Sequence, residues 1–120
     1  MTYSFDPKSF GPRLWYVLHT AAASAPHTLS PSDRDSWKCI LKNLHALIPC
    51  ITCKNNYKQK LDYIDLEAWL ATGDSLFELT VNIHNSVNGH LGKPQFDLER
   101  ARRTYGRGSV RGVRMDRGYE

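Results

Sequence analysis

Apolar residues recur along this chain at steps of three and four for most of its length, the period of one helix face. From Phe10 they fall at Leu14, Leu18, Ala21 or Ala22 and Ala25, and Pro26 ends the run. In "LSPSDRDSW", Ser30 suits an N-cap, Pro31 the first turn, and Asp33 the positive end of the helix dipole. The second stripe is Trp37, Ile40, Leu41, Leu44, Leu47 and Ile48. Pro49 closes that helix and is expected to open a third, running to about Leu61. A short amphipathic piece, "DLEAWLATG", is expected to stop at Gly73 as the residue after its C-cap. Asp74 or Ser75 then caps a fourth long helix, with Leu76, Leu79 or Thr80, Ile83, Val87 and Leu91 on its apolar face and Gly92 at its end. A last short helix is predicted from Phe96 to about Tyr105.

Alternation of period two is absent, so no strand is expected. Helices of this length with short connections predict an all-α fold, a four-helix bundle with an additional short fifth helix. The folded domain is placed at residues 1–105. From Gly106 the text "GRGSVRGVRMDRGYE" has no core-forming pattern and reads as a flexible Arg/Gly-rich tail, residues 106–120.

Composition changes this picture in one respect. With 41% apolar and 23% charged residues the chain is globular in character, and no apolar run approaches the roughly 20 residues that span a bilayer. The beginning, "MTYSFDPKSFGPRLW", lacks the basic start and apolar block of a secretory signal peptide. The formal charge of +4 is unevenly spread: residues 1–99 carry nine Lys/Arg and ten Asp/Glu, while residues 100–120 carry seven Arg and two acids. The basic character is therefore assigned to the tail, and a nucleic-acid surface on the folded part loses its support.

Three cysteines, Cys39, Cys50 and Cys53, do not make a disulfide-stapled scaffold. In "PCITC" the last two lie one helical turn apart, close enough for their sulfurs to bond. The unpaired N–H groups of a helix start favour a thiolate, the species that exchanges disulfides. Other readings stay open at this point. A zinc site would need two further ligands from His19, His27, His45, His84 or His90, none of which forms a second ligand pair. A thioredoxin-like site would need strands, and the spacing could arise by chance.

The fourth long helix carries Asn82, His84, Asn85, Asn88 and His90 in a segment that must also supply core. His84 and Asn88, four apart, share a face. Either a polar ligand meets them or they form a network between helices, since burying such groups unpaired costs about 1–3 kcal/mol each. Trp15 and His19 are again four apart, a flat ring beside an imidazole that suits a planar heterocycle or an ordinary core.

Taken together, "FGPRLWYVLH", "IPCITC" and "HNSVNGHLGKPQF", in this order, resemble the Erv/ALR sulfhydryl oxidases, small helical enzymes that bind FAD. The resemblance covers roughly residues 10 to 105. It implies a thiol oxidase that forms disulfides in protein dithiol substrates and passes electrons through FAD to molecular oxygen, giving hydrogen peroxide. It implies that Cys50 is the outer sulfur attacked by substrate and that Cys53 lies nearer the flavin. It puts Trp15 and His19 beside the flavin or adenine, with Gly11 and Arg13 approaching from the helix start. His84, Asn85, Val87 and Asn88 are implied to contact the ring system and adenosine, and Lys93 the pyrophosphate. Tyr105 stands where relatives often carry Trp near the adenine; a helix-end core aromatic is the alternative. Tyr57 reads as core.

There are departures from the family pattern. Leu14 replaces a common Ser or Thr, and Ser24 and Ala25 replace aromatics. A structural disulfide of cellular members corresponds here to Val81 and Leu98, as if exchanged for a packing contact. The terminal segments hold no second cysteine pair of the kind that serves longer members as a shuttle. A homodimer is implied, and the partners are protein dithiols, among them a thioredoxin-like or CxxC shuttle protein. The compact form is similar to the oxidases of large DNA viruses, which implies the host cytoplasm and virion; the mitochondrial intermembrane space is the alternative. Cys39 is expected to be a buried small apolar residue, an intermolecular bond being the other reading. The tail is read as solvated, or as a weak binder of nucleic acid or an acidic partner. The competing function is a small helical nucleic-acid or protein binding module with a structural CxxC.

Overall fold

The computed structural model describes residues 6–107. They form six helices: α1 (Pro7–Ala23), α2 (Pro31–Asn43), α3 (Ile51–Asp62), α4 (Leu66–Trp69), α5 (Gly73–Leu91) and α6 (Leu98–Tyr105), with a 3-10 turn, Leu44–Leu47, after α2. The long four make the expected bundle, α6 is the short addition, and α4 is a single turn. Among the described residues no strand forms, and Thr28 and Thr72 make one isolated antiparallel bridge.

Side chains close most helix starts. Asp6 accepts from the Lys8 N–H, Ser30 from Asp33 and Asp97 from Arg100, each satisfying a donor that the helix leaves orphaned. For α5 the cap is Thr72, which exchanges hydrogen bonds with Ser75 in a capping box. Gly73 is thus the first residue of α5 and not the end of the preceding piece. Gly92 and Gly106 end α5 and α6 with φ of 72° and 77°, left-handed geometry that an L side chain resists.

Helix α5 is the hub, packed against α1, α3, α4 and α6. Its first half buries Leu76, Phe77, Leu79, Thr80, Val81 and Ile83, almost all round, as a central helix must. Leu18 and Ala22 of α1, Leu41, Leu44, Ile48, Tyr57 and Ala101 complete the core around it. Val81 is buried and Leu98 packs against the same core, so the two positions at which the resemblance implies an exchanged disulfide are apolar and sheltered.

The second stripe is corrected by the 3-10 turn. Leu41, Leu44 and Ile48 are buried, but Ile40 and Leu47 are exposed; the 3-10 turn advances more per residue and rotates Leu47 off the face. Cys39 is exposed as well, contrary to the expectation of a buried thiol. The domain boundary also moves. Arg107, expected in the tail, is 8% exposed and lies at the C-terminal end of α1, where its guanidinium donates to the carbonyls of Ala23 and Ala25 and to Asp74. The other tail residues, 108–120, lie outside the described residues.

A Cβ on Gly73 would overlap the Pro26 carbonyl oxygen and the Arg107 guanidinium. The first is backbone and cannot rotate away. Gly73→Ala is expected to lower stability by about 3 kcal/mol, read as a shift of the urea midpoint at unchanged slope.

Candidate functional site

Helix α3 begins at Ile51, and Pro49 lies outside it, ahead of the N-cap. The N-cap is Cys50 itself, whose Sγ accepts from the Cys53 N–H at 3.2 Å, a thiol in the place usually taken by a hydroxyl or carboxylate. The two Sγ atoms, both free thiols, stand 2.6 Å apart with the Cys53 S–H donating to Cys50. Cysteines one turn apart at a helix start are brought together by the backbone alone.

Their environments differ. Hydrogen bonds from the Cys53 thiol and backbone N–H hold Cys50 below the ordinary thiol range. Burial, then the neighbouring Cys50, pushes Cys53 up to about 11. Cys50 is therefore the sulfur that ionises first, and Cys53 the one that stays protonated.

Cys53 lines a cavity of about 460 Å³ between the first half of α1, the second half of α5 and the Lys93–Phe96 loop; Cys50 is not among its lining residues. That volume is in the range of cofactor sites, roughly 300–1,000 Å³. One wall is aromatic: Trp15 stacks on His84 with centroids 4.1 Å apart and planes 11° from parallel. Phe96 meets His84 edge-on at 5.9 Å, and Tyr105 packs against Phe96 at 6.4 Å. Lys93 and Arg100 contribute positive charge to the lining.

Of the residues predicted for a cofactor, Gly11, Trp15, His84, Val87, Asn88, Lys93 and Tyr105 line this cavity and three do not. His19 is fully buried behind His84, with its Nε2 2.9 Å from His84 Nδ1 and its Nδ1 3.0 Å from Thr80 Oγ1. Arg13 turns back along α1, donating to the Ser9 carbonyl at 2.8 Å and the Ser9 hydroxyl at 3.3 Å, next to Pro12, which cannot donate within the helix. Asn85 spends both ends of its amide on Phe96: Nδ2 donates to the carbonyl at 2.8 Å and Oδ1 accepts from the N–H at 2.5 Å. It holds the cavity wall without facing the cavity.

Tyr57 is core, 2% exposed and donating to the Leu41 carbonyl at 2.5 Å, yet its ring also lines the cavity. Phe10, Leu14, Phe96 and Arg100 were missed as lining residues. Phe10 and Leu14 were legible as an apolar stripe but indistinguishable from core. Arg100 was hidden in a run of arginines read as tail-like charge.

Burial, with a smaller contribution from His84, lowers His19 to about 3. Burial, then the charge of Lys93, lowers His84 to about 4. Both imidazoles are neutral near pH 7. Among the described residues no group of three or more His, Cys, Asp or Glu could hold a metal ion, and no helix is long and apolar enough to cross a membrane.

The model of the Erv1 / Alr family matches residues 12–106. A Frog virus 3 (isolate Goorha) protein named "Putative FAD-linked sulfhydryl oxidase 088R" is 37% identical over 105 residues, covering 85% of this chain and 69% of its own. The Invertebrate iridescent virus 6 protein named "Putative FAD-linked sulfhydryl oxidase 347L" is 32% identical over 109 residues, covering 83% and 95%. The crystal structure of the yeast Erv1 core superposes with a TM-score of 0.77 at 24% identity, covering 86% of each chain, a likeness of fold. With the second and third motifs, and the first from Pro12 on, inside the matched region, the chain belongs to the Erv1 / Alr family.

Proposed function

We propose that this chain is an FAD-dependent thiol oxidase that makes disulfides in protein substrates, with Cys50 and Cys53 as its exchanging pair. The observation that carries the reading is the asymmetry of the pair, one ionisable sulfur outside and one raised sulfur in the wall of an aromatic cavity.

The cavity fits a flavin nucleotide by the chemistry of its lining. Trp15, His84 and Phe96 offer flat apolar faces, Gly11 leaves open space where a Cβ would stand, and Lys93 and Arg100 suit a pyrophosphate. Bound there, FAD supplies the two-electron acceptor that regenerates the Cys50–Cys53 disulfide and delivers the electrons to molecular oxygen as hydrogen peroxide. The residues themselves perform the exchange. A substrate thiolate attacks Cys50 Sγ of the disulfide, and the electron pair of the broken bond leaves on Cys53, which takes up a proton. The second substrate thiolate then attacks the substrate sulfur of the mixed disulfide, and Cys50 leaves as a thiolate. Cys50 is a good leaving group because its N-cap hydrogen bond stabilises the anion.

Around Cys50 the surface is apolar: Leu47 and Ile51 are 66% and 67% exposed. This suits a polypeptide, not a small thiol. Replacing both with Glu is expected to raise KM for a reduced protein substrate about tenfold, leaving turnover of dithiothreitol nearly unchanged, as oxygen consumption will read. Protein that is colourless at about 450 nm would favour the binding module, and yellow protein that consumes no oxygen with either thiol would not be an oxidase. A homodimer, from the family resemblance, is part of the same proposal, and so is action in host cytoplasm and virion, for which the viral relatives support a viral origin; fractionation of expressing cells distinguishes these places from the mitochondrial intermembrane space.

A further inference from the structure

Behind the cavity wall a hydrogen-bonded chain runs Phe77, Thr80, His19, His84. Its direction can be worked out from proton counts. The Thr80 hydroxyl stands 2.7 Å from the Phe77 carbonyl oxygen, which has no proton to give, so Thr80 donates there. Having one hydrogen, Thr80 Oγ1 must accept from His19 Nδ1 at 3.0 Å. His19 is fully buried and neutral, so its proton on Nδ1 leaves Nε2 bare. His84 Nδ1, 2.9 Å from that bare nitrogen, must carry a proton and donate it. His84 is neutral as well, so its own Nε2 is a lone pair. That nitrogen has no hydrogen-bond partner among the described residues, while its ring lines the cavity and is held flat by Trp15.

We propose that Thr80 is a positioning residue: acting through His19 it fixes His84 in the Nδ1–H tautomer, so that His84 offers the cavity a hydrogen-bond acceptor. Resting on the flavin reading, this means that His84 receives a donor of the bound cofactor, an amino, imide or hydroxyl hydrogen, and rejects a bare acceptor at the same place. Thr80 touches neither cofactor nor substrate. If its hydroxyl is removed, the buried His19 Nδ1–H is left unpaired. The proton then moves to His19 Nε2, which donates to His84 Nδ1, and His84 Nε2 becomes a donor. One side chain two residues removed thus reverses the polarity of the cavity wall.

The test is nitrogen-15 NMR of the histidine rings in the FAD-loaded protein, with FAD affinity measured in parallel for Thr80→Ser and Thr80→Val. Wild type and Thr80→Ser are expected to show Nδ1–H on both histidines and equal affinity. Thr80→Val is expected to move both to Nε2–H and to weaken FAD binding about tenfold or more. An Nε2–H signal from either histidine in wild type overturns the proposal, as does a folded Thr80→Val with unchanged tautomers. If Thr80→Val does not fold, the wild-type and Thr80→Ser spectra decide alone. Protein that binds no FAD would sink the flavin reading and still report the tautomers, so the two failures are told apart.

Discussion

Cys53→Ser is expected to abolish thiol oxidation, by about a thousandfold or more, and Cys50→Ser to do the same, because the two sulfurs act as one unit and either loss removes the disulfide. The variants are expected to differ in what they trap. Offered a substrate in its disulfide form, Cys53→Ser still presents the lower-pKa, N-capping Cys50 thiolate. It forms a mixed disulfide that no Cys53 thiol can resolve, leaving only reversal by the thiol freed on the substrate itself. Cys50→Ser presents only Cys53, raised to about 11 and set in the cavity wall, and should trap little. Oxygen uptake gives the first result and mass spectrometry of the non-reduced protein the second. Stronger trapping by Cys50→Ser would exchange the two roles. Activity surviving in either variant would mean that another thiol, with exposed Cys39 the candidate, serves in the exchange.

Acid is expected to destabilise the fold well before its carboxylates titrate. His19 and His84 are held neutral in the folded protein, at about 3 and about 4, whereas an unfolded imidazole takes its proton near 6.5. Below that value the unfolded chain binds more protons than the native one, so stability falls as pH falls, until the native histidines protonate at last. Between pH 8 and pH 5 the two together remove roughly 4 kcal/mol, against a total of about 5–15 kcal/mol for a domain. Lys93 acts in the same direction on His84. Asp74, which Arg107 holds below the usual carboxylate range, adds its loss only at lower pH. Urea midpoints of the FAD-loaded protein at pH 8, 6.5 and 5 measure the fall, and His84→Gln should flatten it by about half. Equal midpoints at pH 8 and pH 5 would show that neither histidine is kept neutral by the fold.

What the sequence made legible was local. Ser30, Pro31 and Asp33 announced the start of α2 because a cap, a ring-fixed φ and a dipole effect all act within one turn. Gly92 announced the end of α5 for the same reason. The cysteine pair was legible because backbone spacing alone brings the sulfurs together. Gly73 was misread since the box that starts α5 pairs Thr72 with Ser75, without the Glu or Gln that usually marks one. Arg107 was misread because every partner of its side chain lies more than 30 residues away, while both its neighbours in sequence are glycine. Within the site, the motif residues were found but their division of labour was not. His84 faces the cavity while His19 stands behind it, and Thr80, an unremarkable position on an apolar stripe, decides how both are protonated. Helical periodicity reports a face; it carries no information on the order in which side chains stack across two helices.

The amide of Asn85 reproduces, with a side chain, the paired hydrogen bonds that a neighbouring strand would make to Phe96. Few other residues could stand in for it. Asp has no hydrogen for the Phe96 carbonyl, Gln carries the same group one methylene too far, and Ser or Thr could serve only one of the two atoms. Choice at this position is narrowed to a single side chain by the shape of one peptide unit, whatever molecule the neighbouring hollow receives.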